Sequence, residues 1–149
     1  MKYSINIATK EQMAEVAKVF KLSRSYSLPY LPKLHTEEED VYFFTNVVYK
    51  KNNVHLAKSD SEEKILGFIV FNDSFVDHLY LLPEFQGKGI GTELLKIAME
   101  KNDSLKLWTF QKNQKAILFY EKNGFSPIEK TNVEGNEEKE PDALLFWEK

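Results

Sequence analysis

The chain has 149 residues, of which 42% are hydrophobic and 29% charged, with 20 Lys and Arg against 23 Asp and Glu and a formal net charge of -3. That length suits one domain, residues 1–149, and the mixed charges leave no basic stripe for nucleic acid. There is no cysteine, which excludes disulfides, thiolate catalysis and Cys-type zinc sites; His35 and His55 stand far from other ligand types, so no metal site is expected.

The first residues, MKYSINIATKEQMAEV, have no apolar h-region and so no signal-peptide character. Apolar runs such as Ile65–Phe71 are far too short to span a bilayer. The expectation is a cytoplasmic protein with no membrane partner. Residues 3–8 alternate apolar and polar and predict a strand. Thr9 with Gln12 reads as a capping box, and Met13, Val16, Ala17 and Phe20 at helical spacing predict a helix over about 10–22. Pro29 and Pro32 bound a loop. Thr36 with Glu39 is a second capping box, opening a helix through Phe43, Phe44 and Val47. Residues 53–58 and 64–71 flank the polar turn Asp60-Ser61-Glu62-Glu63 as a hairpin, and 74–81 is a further strand. A helix over 89–101, a strand over 104–109 and a helix over 113–122 follow, the last stopped by Asn123-Gly124. Strands at 125–132 and 143–148 close the order β-α-α-β-β-β-α-β-α-β-β, with the acidic stretch 134–142 as a turn between them.

The segment from Leu79 to Thr92 (LYLLPEFQGKGIGT) runs from a strand through a glycine-rich loop into a helix. Gly87, Gly89 and Gly91 let backbone approach a ligand, and a helix start offers free N–H groups and a dipole to a phosphate or pyrophosphate. The spacing is not G-x-G-x-x-G, and no Lys-Ser or Lys-Thr pair completes a P-loop. What remains is Gln86-x-x-Gly89-x-Gly91, a pattern of pyrophosphate binding in acyl-CoA-dependent transferases. Taken alone, the same turn also reads as tight strand-to-helix punctuation.

Asn113, Ala116 and Tyr120 fall at i, i+3 and i+7 and share one helix face. Ala116 is small enough for close packing, Asn113 can hydrogen-bond an amide, and Tyr120 carries a hydroxyl able to protonate a departing thiolate as general acid. By periodicity alone Tyr120 reads first as a core aromatic.

Together the runs LYLLPEFQGKGIGTELL and NQKAILFYEKNGF resemble the GCN5-related N-acetyltransferase (GNAT) family. The resemblance implies an α/β fold with a mixed, mostly antiparallel sheet, helices on both faces and a splayed strand pair that makes the acyl-CoA cleft. It implies that backbone from Gln86 through Gly87, Lys88, Gly89, Ile90 and Gly91 to Thr92 cradles the pyrophosphate of acetyl-CoA. Leu79 and Leu81 would border the pantetheine arm, with the Leu81 N–H also polarising the thioester carbonyl. Asn113, Ala116, Phe119 and Tyr120 would border it from the helix, with Tyr120 protonating the thiolate.

Asp77 alternates with Leu79 and Leu81, so it should share their face of the strand as a base or water-organising group, while His78 should face the other way. The acceptor side falls to Tyr26, Tyr30, His35 and the acids Glu37, Glu38, Glu39 and Asp40, with the acidic stretch at its rim. Such acids suit a cationic amine, although the capping box accounts for those at 37–40 equally well. The expected activity is transfer of acetyl to a primary amine of a small molecule by direct attack in a ternary complex, in a monomer or homodimer. A protein or peptide N-acetyltransferase and a non-catalytic acyl-CoA-binding module are the alternatives.

Overall fold

The computed structural model describes residues 2–132 and 136–149. Four strands, β1 (Tyr3–Ile7), β2 (Asn53–Ser59), β3 (Ile65–Phe71) and β4 (Val76–Leu81), pair antiparallel in that order. Three more, β5 (Ser104–Phe110), β6 (Ser126–Lys130) and β7 (Asp142–Glu148), form a second antiparallel sheet in the order β5-β7-β6. The two sheets meet between β4 and β5. Phe75 and Lys106 form a lone parallel bridge at the start of these strands, where the Lys106 N–H donates to the Ser74 carbonyl at 2.9 Å. Among the described residues no ladder continues beyond it, so the strands diverge toward their C-terminal ends.

Helices cover both faces. On one lie α1 (Met13–Ser27), α2 (Glu37–Phe43), a π turn (Phe44–Val48) and the short α3 (Tyr49–Lys51). Met13, Val16, Val19 and Phe44 from these helices bury against Phe68 and Val70. On the other face α4 (Ile90–Glu100) packs Leu94 and Leu95 against Ile69 and Phe71, joined by Leu105, Leu107 and Phe125. α5 (Gln114–Lys122) adds Tyr120 to that core. With helices on both sides every residue of β3 is buried, which is why it reads as an unbroken apolar run and not an alternating one. Each such Leu, Ile or Phe contributes about 1.5–3 kcal/mol on full burial.

Both capping boxes form: Thr9 with Gln12, and Thr36 with Glu39, where the Glu39 N–H donates to Thr36 Oγ1 at 3.1 Å and the Thr36 N–H to Glu39 Oε1 at 2.8 Å. α1 runs five residues past the predicted end at 22, through the polar run SRSYS, and stops where the Leu28 N–H reaches the Arg24 carbonyl at 2.8 Å and Pro29 bars continuation. β4 begins at Val76 instead of residue 74, because Asn72 Oδ1 accepts from the N–H groups of Ser74 and Phe75 and folds that stretch into a turn. No helix of the described residues is long and apolar enough to cross a membrane.

Candidate active site

The divergence of β4 from β5 opens a cleft of about 770 Å³. Its β4 wall follows from ladder phase. The Leu82 N–H donates to the Leu66 carbonyl at 2.8 Å, which makes 82 and 66 a bonded pair. Leu81 opposite Gly67 and Leu79 opposite Ile69 are then the non-bonded pairs, so their N–H and C=O groups point away from β3 into the gap. The Leu81 carbonyl is occupied by Gln86, whose Nε2 donates to it at 3.1 Å. The Leu81 N–H has no acceptor among the described residues.

The glycine loop closes the open end of the cleft. Gly87 (φ 77°) and Gly89 (φ 88°) are left-handed, and Gly89 is the N-cap of α4. A Cβ at either would meet nothing within 4 Å, so it is the backbone conformation that calls for glycine while the space outside stays open. Gly91 differs: a Cβ there would lie in ordinary contact, 3.4 Å from Phe119 and 3.5 Å from Leu81, so a methyl would fit but a longer side chain would meet both. Among the described residues none of the six N–H groups from Gly87 to Thr92 donates to a protein acceptor. Consecutive free donors at the positive end of an eleven-residue helix make an anion site. Gln86, Gly87, Gly89, Gly91 and Thr92 border the cleft. The Ile90 side chain is buried in the core, leaving only its backbone available, and Lys88 sets its ammonium 5.8 Å above the Phe85 ring.

α5 presents the face that its spacing predicts, Asn113, Ala116 and Tyr120, to the cleft, and Phe119 borders it as well. Asn113 is the N-cap, its Oδ1 accepting from the Ala116 N–H at 3.3 Å, which leaves its amide nitrogen as a donor. Tyr120 is 9% exposed, with its ring against Phe119 and Phe125 at centroid distances of 5.2 and 5.6 Å. Its hydroxyl has no hydrogen-bond partner among the described residues. Burial, and then the neighbouring Tyr80, push its pKa well above the usual phenol value, so it keeps its proton. Tyr120 is thus both a core aromatic and a donor facing the cleft.

Asp77 borders the cleft at a β-bulge: Val70 opposes His78 and Phe71 opposes Val76, which leaves Asp77 as the extra residue. Its carboxylate accepts from Asn72 Nδ2 at 3.3 Å, and desolvation raises its pKa. His78 lies on the opposite face of β4 from Leu79 and Leu81, as alternation predicts, with its ring beside Phe20, Phe43 and Phe44. β4 has a free edge, so side chains of both its faces reach the opening, and His78 and Tyr80 border it beside Leu79 and Leu81. Burial, and then Arg24, lower the His78 pKa to about 4, leaving the ring neutral at physiological pH. Sequence reasoning misses Tyr80, as well as Ser23 and Ser27 of α1 and Thr109 of β5, which also border the cleft. A polar ring inside an otherwise apolar strand is the one local signal for Tyr80.

On the acceptor side Tyr26 borders the cleft, while Tyr30 lies beneath Lys112, with Nζ 5.1 Å from its ring centroid. Among the described residues, three acids of the acidic stretch have partners. Glu138 pairs with Arg24 at 2.5 Å, Glu137 with His35 at 2.5 Å and Glu140 with Lys112 at 3.4 Å. Glu134 lies outside the described residues. A second cavity of about 410 Å³ adjoins, between Trp108–Phe110 and Thr131, Asn136, Glu138 and Asp142.

Solved structures share this architecture. Apo-form YjaB from Escherichia coli superposes with a TM-score of 0.82 at 21% identity over 99% of this chain and 98% of that one. The PaiA N-acetyltransferase from Thermoplasma acidophilum, solved in complex with coenzyme A, gives 0.77 at 22% identity over 100% of both chains. At these identities they establish the fold. The family model described as acetyltransferase (GNAT) domain matches residues 50–127, and the chain belongs to that family. The peptidyl-lysine N-acetyltransferase YiaC of Escherichia coli (strain K12) is 31% identical over 71 residues, 47% of this chain and 49% of that protein. The chain thus spans about half the length of the curated relatives it first matches.

Proposed function

We propose that this chain moves an acetyl group from acetyl-CoA to a primary amine of a small molecule by direct attack in a ternary complex. The observation that carries the reading is the series of free N–H groups at 87–92, set at one end of a cleft that holds the unpartnered Tyr120 hydroxyl. The residues fit the cofactor by chemistry: the N–H series suits a pyrophosphate, and the free backbone edge at Leu79 and Leu81 suits the amides of a pantetheine arm. Ala116 leaves room beside that edge, and the Asn113 amide nitrogen is a further donor. Bound acetyl-CoA supplies a thioester, an acyl group with a thiolate as leaving group. With it bound, the Leu81 N–H would donate to the carbonyl oxygen and the Tyr120 hydroxyl would supply a proton to the sulfur. Asp77 and His78 are the titratable groups beside β4 able to take a proton from the amine.

A second reading, transfer to a lysine side chain of a protein, is favoured by the match to a peptidyl-lysine N-acetyltransferase. The exposed Tyr26, which borders the cleft, suits a larger partner at the mouth. A thiol-release assay with acetyl-CoA and three amines, an aliphatic diamine, an α-amino acid and a lysyl peptide, separates the readings. Turnover with the diamine or amino acid is expected. Turnover with the peptide alone supports the second reading. Release no faster than that of a Gly89→Glu variant with all three contradicts both.

A further inference from the structure

We propose that the Arg24–Glu138 ion pair sets which amine this chain accepts, by fixing the turn at 136–141 against α1 so that the second cavity admits a small amine in preference to a peptide lysine. This rests on the transfer reading above and names two specificity-determining residues for it.

The second cavity meets the cleft along β5, where Trp108, Thr109 and Phe110 border both. Its volume of about 410 Å³ falls within the range of small-molecule pockets, roughly 300–1,000 Å³. Asn136, Glu138 and Asp142 border it from the turn that leads into β7. Backbone holds the base of that turn: the Thr131 N–H donates to the Asp142 carbonyl at 2.9 Å, and the Gln111 N–H to the Pro141 carbonyl at 2.9 Å. Within the turn the Glu140 N–H donates to Asn136 Oδ1 at 3.2 Å. Side chains then tie it to three elements distant in sequence: Glu138 to Arg24 of α1, Glu137 to His35 before α2, and Glu140 to Lys112 after β5.

These ties differ in strength. The side chains of His35, Glu137 and Lys112 are 48%, 58% and 61% exposed, and ion pairs so open to water contribute little. Those of Arg24 and Glu138 are 22% and 18% exposed, so solvent screens their 2.5 Å contact far less, and removing one leaves the other charged and largely buried. The Arg24 guanidinium also lies 5.5 Å above the Phe20 ring. Phe20 in turn sits 5.7 Å from the His78 ring and 5.1 Å from that of Tyr80, both of which border the cleft. A planar guanidinium can stack on a ring and donate from its edge at the same time. Arg24 therefore joins the aromatic wall of the cleft to the acid that borders the second cavity. Ser23, Tyr26 and Ser27, its neighbours on α1, border the cleft as well. With the pair formed, α1 and the turn bound the space open to an acceptor, which suits a small molecule. With it broken, the turn loses its best-shielded tie to α1, and a side chain carried on a peptide gains access.

The test uses the panel above, with whichever small amine the wild type acetylates faster. Glu138→Gln and Arg24→Gln should each raise KM for that amine roughly 10-fold, with acetyl-CoA affinity by calorimetry unchanged. Each should also raise kcat/KM for the lysyl peptide relative to the small amine. The charge swap, Arg24→Glu with Glu138→Arg, should bring both values back toward the wild type. Glu138→Gln keeps the side-chain size and decides alone where the swap does not fold. Independently of turnover, amide exchange at Gln111, Thr131 and Glu140 should quicken in both single variants. Wild-type KM and peptide ratio in Glu138→Gln, equal losses toward amine and peptide, unchanged amide exchange, or a wild type that acetylates the peptide alone overturns the proposal. A wild type inert toward every amine contradicts the transfer reading instead.

Discussion

Gln86 Nε2 donates to the Leu81 carbonyl at 3.1 Å, tying the first residue of the glycine loop to the last residue of β4. The contact fixes where the loop's free N–H groups stand relative to the strand edge. A neutral hydrogen bond of this kind is worth about 0.5–1.5 kcal/mol. Gln86→Ala should therefore weaken acetyl-CoA binding roughly 2- to 12-fold, at a tenfold change per about 1.4 kcal/mol. Titration calorimetry reads this directly, and unchanged affinity would show that the loop is held by other means.

The glycines separate into two kinds of test. At Gly89 the φ of 88° strains any side chain, yet a Cβ there meets open space. Gly89→Ala should cost about 1–2 kcal/mol of stability, the left-handed penalty. Gly89→Glu adds a carboxylate in the space offered to the pyrophosphate and should abolish binding. Gly91→Glu should lose stability as well, since the side chain would drive into Phe119 and Leu81. Chemical denaturation beside ligand titration distinguishes the two, and a tight acetyl-CoA binder surviving either Glu variant would show the loop is not the phosphate site.

Tyr120→Phe removes a hydroxyl with no protein partner among the described residues, so stability should hold. kcat should fall on the order of 100-fold or more, with acetyl-CoA affinity little changed. Burial holds the phenol's pKa above its ordinary value, so the wild type should show no alkaline loss of kcat from Tyr120 as pH passes 10. Unchanged turnover in the variant would remove Tyr120 from the proton path.

His78 also marks the acid side of the stability profile. Its folded pKa lies near 4, below the ordinary 6.5, so the unfolded chain binds the proton first. That stability is complete above about 6.5 and is lost as pH falls toward 4. His55 shifts in the same direction, through burial and then Lys101. Thermal midpoints should therefore decline between pH 6.5 and 4, and His78→Phe should flatten the decline. An identical decline in the variant would assign the effect elsewhere.

What could be read from the chain is what lies close along it. Thr36 with Glu39, the glycines at 87, 89 and 91, and the Asn113–Ala116–Tyr120 face each depend on spacings of a few residues, and each takes the predicted form. The cleft itself entered through resemblance, because the gap between β4 and β5 is set by a single bridge at Phe75 and Lys106 that no local pattern encodes. Alternation places His78 on the opposite face of β4 from Leu79, as observed, but only the free edge of β4 brings both faces to the cleft. The bulge at Asp77 and the pairing of Glu138 with Arg24, 114 residues apart, are likewise tertiary. Among the described residues, Glu138 and Glu140 of the acidic stretch are tied to Arg24 and Lys112, contacts that no local spacing announces.

The central claim is that the cleft holds acetyl-CoA, and a thermal shift with acetyl-CoA, using ATP and NAD as controls, tests it most directly. A ligand at 100 times its dissociation constant adds about 2.7 kcal/mol. At about 2–4 °C per kcal/mol for a domain of this size, the midpoint should rise by several degrees with acetyl-CoA and not with the controls. No shift at saturating acetyl-CoA, or a larger shift with ATP or NAD, would contradict the account.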